Sequence, residues 1–347
     1  MQSEGGSEDA QEAFEAGYGE CRRLYGNGEW VDAAWASNEF VALWIDKADL
    51  PARSRQLLAD AMWIACNSAA AESWDQTGVR SEIAAAGMND LIAWLRRQPE
   101  VEFRQTEARM LCERIHWYGG RDEALDSLEQ VVEVLADLDD PTVAKDTVTR
   151  VVKQLAWLLE IANEDHQRYL DGMTEALDEA ADSPPDPDEL GVTDMSVTRM
   201  ERVADALSDL GDCLDLEDDN DASELRAALL LAELEAVSKL GQGDRVEARF
   251  EAFAALGDAA LAACDSQIRR IENALDDSND YSAAVPAMLM TKATVLFLND
   301  EDDSALVIVT EIIDRFGTRN EPAVAAVVEK ARELQTDLLK ESDDDSV

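Results

Sequence analysis

Residues 24–35 read LYGNGEWVDAAW, with Gly26 and Gly28 flanking Asn27. Glycines so close together can let backbone N–H groups wrap a phosphate. A phosphate loop, however, follows a buried strand and carries GxGxxG or GxxxxGK[ST]. This stretch follows a helical pattern and holds no lysine, so a corner between two helices is the better reading. DEDDSALVIVTE, residues 300–311, sets Asp300, Asp302, Ser304 and Glu311 at positions 1, 3, 5 and 12 of a calcium loop of the EF-hand kind. Position 6 is Ala305 where the sharp turn requires glycine, and Val307 and Ile308 are core-like residues inside the supposed loop. DCLDLEDDND, residues 212–221, lacks both the glycine and the closing glutamate. Both stretches read as solvated helix turns.

Other chemistry is as weakly supported. There are only two histidines, His116 and His166, neither within a helical turn of the other, and the five cysteines are widely spaced with no CxxC. That pattern suggests reduced, buried thiols, with neither a disulfide framework nor a zinc site. With 76 Asp and Glu residues, close carboxylate pairs arise by chance and carry no information. No nucleophile stands beside a general base. The expectation is a non-enzymatic chain with no catalytic residue, metal or cofactor.

Acidic residues outnumber basic ones 76 to 30, giving a formal charge of −46 over 347 residues. Only seven of the cations are lysine (47, 145, 153, 239, 292, 330 and 340). Self-repulsion on this scale strains a compact fold in dilute buffer, and a Debye length of about 3 Å at 1 M salt quenches it. An acidic, lysine-poor chain resembles the proteins of salt-loving archaea with a salt-filled cytoplasm. An acidic face for a basic partner is the alternative, but the charge is spread along the whole chain. Nucleic acid is disfavoured, since phosphate neutralisation needs clustered Lys and Arg. No run approaches the ~18 apolar residues of a membrane span, and the acidic start is unlike a secretory signal. A soluble cytoplasmic protein without a membrane or nucleic-acid partner is expected.

Alanine and leucine abound, proline and glycine are scarce, and apolar residues recur at spacings of three and four, so the chain reads as about a dozen helices with short connections. Hydrophobic content of 46% is ample for a continuous core. DSPPDPDELGVTD, residues 182–194, holds three of the eight prolines and reads as a linker. The expected organisation is a tryptophan-rich helical half over 8–181, the linker 182–194, a second acidic helical half over 195–341, and a disordered acidic tail over 342–347. Trp30, Ala34, Ser37, Val41 and Trp44 fall on one helical stripe, which is ordinarily core. Trp35 lies off that stripe and is expected to pack on a neighbouring pair.

The opening stretch recurs. Setting Gly28 over Gly119, Gly243 and Asp300 puts Ala33, Ala124, Ala248 and Ala305 in one column. Twelve residues earlier lie Cys21, Cys112, Ala236 and Ala293, all small; seven later lie Phe40, Val131, Ala255 and Ile312, all apolar. Small residues on both helices permit a close crossing. Small residue, turn, alanine and apolar residue at these offsets resemble the tetratricopeptide repeat, over about two fifths of the chain. GVRSEI at 78 and NDASEL at 220 are degenerate candidates carrying Ile83 or Leu225 for the alanine. The sequence departs from the family where its first-helix aromatic is replaced by Gly17, Ala108, Ala232 and Leu289, and the closing proline is missing.

The resemblance implies an all-α solenoid, an alpha-alpha superhelix of stacked antiparallel helical hairpins, with first-helix residues facing a concave groove. In the first two repeats it implies the candidates Tyr18, Arg22 and Tyr25, then Arg109, Glu113, His116 and Trp117. Aromatic and arginine side chains are the usual anchors of interfaces. In the third and fourth, Glu233, Val237 and Leu240 and then Met290, Thr294 and Phe297 take those positions. Capture of a protein or peptide partner in the groove is the implied function. A helical regulatory or sensor domain closing over a small ligand is the alternative.

Overall fold

The computed structural model describes residues 5–47, 50–77, 82–117, 121–138, 140–160, 162–163, 195–214, 219–274 and 283–344. Among these there is no strand. The helices are α1 (Gly5–Gly26), α2 (Trp30–Trp44), α3 (Ala52–Thr77), α4 (Glu82–Leu95), α5 (Val101–Trp117), α6 (Arg121–Leu138) and α7 (Pro141–Val152). After them come α8 (Met195–Asp212), α9 (Asn220–Lys239), α10 (Gly243–Ala254), α11 (Asp258–Ala274), α12 (Ala284–Leu298), α13 (Asp302–Phe316) and α14 (Pro322–Asp344). No described helix is long and apolar enough to cross a membrane.

The chain divides into two compact units, Met1–Glu164 and Asp165–Val347. The proline-rich segment 182–194, expected to join two halves, lies outside the described residues. In the first unit each helix from α1 to α6 packs on its chain neighbour, α1 also meets α3, and α5 meets α7. In the second, α8–α9, α9–α10, α11–α12, α12–α13 and α13–α14 pack in sequence, with α9 also on α11 and α12 on α14. This nearest-neighbour packing is that of an all-α stack of helical hairpins.

A recurrent turn generates three of the hairpins. Gly28, Gly241 and Asp300 adopt the left-handed region at φ of 74°, 68° and 59°. In each case the residue's N–H donates to the carbonyl three positions back, at Tyr25, Ser238 and Phe297, over 3.1–3.2 Å. The following N–H, of Glu29, Gln242 or Glu301, donates to the carbonyl five back, at Leu24, Val237 or Leu296, over 2.9–3.2 Å. This is the paired bonding of a Schellman C-cap. The next helix starts immediately, with Glu29, Gln242 and Glu301 as its N-caps.

The turn corrects the third repeat. Five residues after Gly28 and Asp300 lie Ala33 and Ala305, both fully buried, and seven further on lie buried Phe40 and Ile312. Counting from Gly241 gives half-buried Val246 and fully buried Phe253, whereas the expected Ala248 and Ala255 are exposed. GQGD offers two glycines around Gln242, and the sequence alignment takes Gly243 where the backbone turns at Gly241. The hairpin α3–α4 shows a one-residue slip of the same kind: Ile83 is exposed, while Ala84 and Leu91 are buried. Ala124 and Val131 are fully buried as expected, although the turn at 118–120 lies outside the described residues. Among the described connections, two escape the sequence pattern: the turn at 153–154 and the turn at 255–257, where Gly257 has φ 52°.

Local packing accounts for Gly17. A Cβ at Gly17 would meet Cδ2 of Phe40 at 2.8 Å. Phe40 is itself locked against Phe14, ring centres 4.9 Å apart, so an α2 aromatic fills the space beside Gly17. Trp35 does not pack on a neighbouring pair; it is 68% exposed, because the buried face of α2 runs through Ala33, Ser37 and Phe40. Residues 302–316 are helical with Ala305 and Val309 fully buried, which leaves no room for a calcium loop there.

Two consequences are measurable. Ala33→Leu adds bulk at a sealed crossing and is expected to destabilise by about 1–3 kcal/mol, while Ala248→Leu stays within about 0.5 kcal/mol of the parent; chemical denaturation at fixed salt reads both. Burial pushes the thiols of Cys66, Cys112 and Cys264 up to about 12 from a normal 9.0. The fold therefore favours their neutral form. Their contribution is fully present below about pH 9 and is lost as the pH rises toward 12, when the unfolded chain gains from releasing protons. Melting temperature should fall above pH 9, and less steeply in a Cys112→Ala variant than in the parent.

Candidate functional site

In the first unit the leading helices of successive hairpins, α1, α3, α5 and α7, carry the residues that sequence reasoning singles out. Tyr18, Arg22 and Tyr25 fall at spacings of four and three, so they form one stripe on α1. The Tyr18 hydroxyl donates to Oδ2 of Asp60 at 2.5 Å, and Arg22 donates to the same oxygen at 3.2 Å. Asn67 donates to the Tyr25 hydroxyl, whose ring stands edge-on to Trp30 and Trp63 at 5.3 and 5.5 Å. Asp60, Trp63 and Asn67 form the matching stripe on α3. Burial, then the hydrogen bond to Asp60, pushes the Tyr18 phenol up to about 12. Burial also raises Tyr25, against the opposing hydrogen bond from Asn67. These three residues thus fasten one hairpin to the next. Both tyrosines are half-buried; the Arg22 side chain remains 59% exposed.

Arg109 is placed differently. It is exposed on α5 and lines a cavity of about 710 Å³ between α3, α5 and α7. Arg53 and Gln56 come from α3, Phe103 and Thr106 from α5, and Thr147 and Arg150 from α7. Gln56 donates to the Thr106 hydroxyl at 2.8 Å, linking α3 to α5. Arg55 pairs with Glu100 and lies over the Phe103 ring, 5.4 Å from its centre. Arg150 pairs with Asp146, one turn away, at 3.1 Å. Arg53 and Arg109 make no ion pair or hydrogen bond among the described residues.

Glu113 is half-buried one turn beyond Arg109. His116 and Trp117 end α5, and their side chains lie outside the described ones. In the second unit the implied groove positions are partly filled: Glu233 and Val237 are buried, while Leu240, Met290, Thr294 and Phe297 are half-buried. The structure therefore brings Tyr18, Arg22 and Tyr25 together against α3, and puts Arg109 at a separate cavity. Sequence reasoning missed Arg53, Gln56, Phe103 and Arg150. The hairpin α3–α4 was hidden by the slip to Ala84, and α7 carries no column residue at all.

Two buried carboxylates were also unforeseen. Glu107 is fully buried and accepts from Arg96 and Arg104 at 2.5 Å each. Glu233, 1% exposed, accepts from Arg245 and Arg249 at 3.0 and 2.8 Å. Each sits on the leading helix of a hairpin and is held by two guanidiniums, which fixes it as a charged tie between elements. Alternate carboxylates in a chain with 76 acids give no sequence signal for which will be buried.

No protein family matches the chain, and no curated protein does. Among solved structures, the chain is similar to a crystal structure of a tetratricopeptide repeat protein from Parabacteroides merdae ATCC 43184, at 8% identity and a TM-score of 0.30, over 92% of this chain and 99% of that one. A likeness at that level leaves the reading to rest on the chain's own residues.

Proposed function

We propose that the protein is a non-enzymatic interaction or scaffold module that captures a peptide or helix of a protein partner along the α3–α5–α7 face of its first unit. The observation that carries this reading is the 710 Å³ cavity with Arg53 and Arg109 uncommitted beside Phe103. Arginine and aromatic side chains there combine directed hydrogen bonding with apolar area, as binding anchors do. Glu113, His116 and Trp117 extend the same helix toward its C-terminus. Tyr18, Arg22 and Tyr25 belong to the same series of helices, but their contacts with α3 make them supports of the face and only Arg22 a part of its surface.

The cavity also favours a second reading, a sensor domain for a small ligand, because its volume lies within the roughly 300–1,000 Å³ of small-molecule sites. Two uncommitted arginines do not amount to the basic stripe that nucleic acid requires. The charge of −46 with few lysines supports a salt-rich, archaeal cytoplasmic setting.

Partner capture is testable with protein co-purified from the native host at high salt. The double variant Arg109→Ala, Trp117→Ala should raise the Kd for a stoichiometric partner at least tenfold and leave helicity and melting unchanged. Loss of fold would make these positions core, and unchanged binding would remove the face from the interface. The sensor reading instead requires a small molecule to raise the melting temperature with concentration.

A further inference from the structure

Most described arginines in this chain hold a carboxylate, as the pairs Arg22–Asp60, Arg104–Glu107, Arg226–Asp212 and Arg315–Glu311 show. With acids outnumbering bases 76 to 30, a guanidinium left without one is out of keeping with its surroundings. Arg53 and Arg109 are two such groups, and they line one cavity from facing helices. The carboxylates beside them are largely committed. Glu100 holds Arg55 through Oε1, with its buried Oε2 left without a hydrogen bond, and Asp146 is taken by Arg150, which leaves Glu102. The uncommitted charge at this cavity is therefore positive, against a net of −46 for the whole chain. Gln56, Thr106 and Thr147 add neutral hydrogen-bonding groups, and Phe103 supplies an apolar wall.

We infer that the α3–α5–α7 cavity recognises an acidic segment of a protein partner, with side-chain carboxylates seated on Arg53 and Arg109. The inference rests on the groove reading above and names the ligand chemistry of that site. A guanidinium presents paired N–H donors that match a carboxylate's two oxygens, so contact is directional and short-ranged. Long-range attraction plays no part, since the chain as a whole repels anions. Salt must then act in an unusual sense. At about 1 M the Debye length of roughly 3 Å removes the repulsion while direct pairs persist, so affinity holds or rises with salt, opposite to ordinary charge-steered binding.

The probe is a fluorescein-labelled tetraglutamate peptide, blocked at both ends, titrated into the full chain in 1 M KCl and followed by anisotropy beside its tetraglutamine counterpart. Tetraglutamate should bind at least tenfold tighter than tetraglutamine. Arg53→Gln and Arg109→Gln should each weaken it about tenfold, whereas Arg97→Gln, an exposed arginine outside the cavity, leaves it unchanged. Melting curves confirm that each variant is folded. Equal binding of the two peptides, or indifference to both cavity substitutions, overturns the inference. Displacement of tetraglutamate by millimolar free glutamate would assign the site to small anions and overturn the peptide assignment. If tetraglutamate fails while Arg109→Ala still releases the co-purified partner, the groove reading stands and the acidic ligand falls; if neither responds, both fall.

Discussion

The fold depends on reversing the chain within three residues at the end of a helix. A right-handed helix continues until something removes a residue from its basin, and for an L-residue the left-handed alternative costs about 1–2 kcal/mol. Gly28 and Gly241 avoid that penalty, and Asp300 is among the residue types that tolerate it. Once the left-handed residue is in place, two backbone hydrogen bonds close over the helix end and the next helix begins at once. Helix order, pair geometry and the face each helix presents follow from where that residue stands.

A reversal so tight brings two helices together near their shared end, and only small side chains fit the crossing. Cys21, Ala33, Ala293 and Ala305 are accordingly sealed from solvent. The pair then has one apolar side left, which it can bury only against the next pair. Polar ties complete that junction. Tyr18, Arg22 and Tyr25 reach Asp60, Trp63 and Asn67 across one boundary, Arg96 and Arg104 clasp Glu107 at another, and within the α9–α10 pair Arg245 and Arg249 clasp Glu233. In a chain so strongly acidic cations are scarce, and Arg22, Arg96, Arg104, Arg245 and Arg249 are engaged in these ties.

The sequence disclosed the helical hairpins because glycine placement and three-to-four spacing follow directly from backbone geometry. Its errors are instructive for the same reason. Around Gln242 two glycines are equally permissive, so only the carbonyl partners of the backbone reveal that Gly241 is the turn. Ile83 looked like a degenerate column residue because the alignment had no means of seeing a one-residue slip to Ala84. Arg109 was legible from its place in the repeat; Arg53 and Arg150 were not, since they come from helices whose column is displaced or absent. Which arginines are spent on structure and which stay uncommitted is a property of three-dimensional pairing, invisible in composition.

The site and the fold thus share one cause: the same register that buries Ala33 and Ala305 decides which first-helix residues face outward. That register is tested most directly by comparing Gly241→Ala with Gly243→Ala in urea unfolding at fixed high salt. An added Cβ meets nothing within 4 Å at either position, so backbone conformation alone separates them. Gly241, at φ 68°, should lose about 1 kcal/mol on substitution. Gly243 opens α10, where alanine is the better helix former by up to about 1 kcal/mol, and its variant should be unchanged or more stable. The reverse order, with Gly243→Ala the destabilising change, would contradict the turn and with it the placement of every residue counted from it.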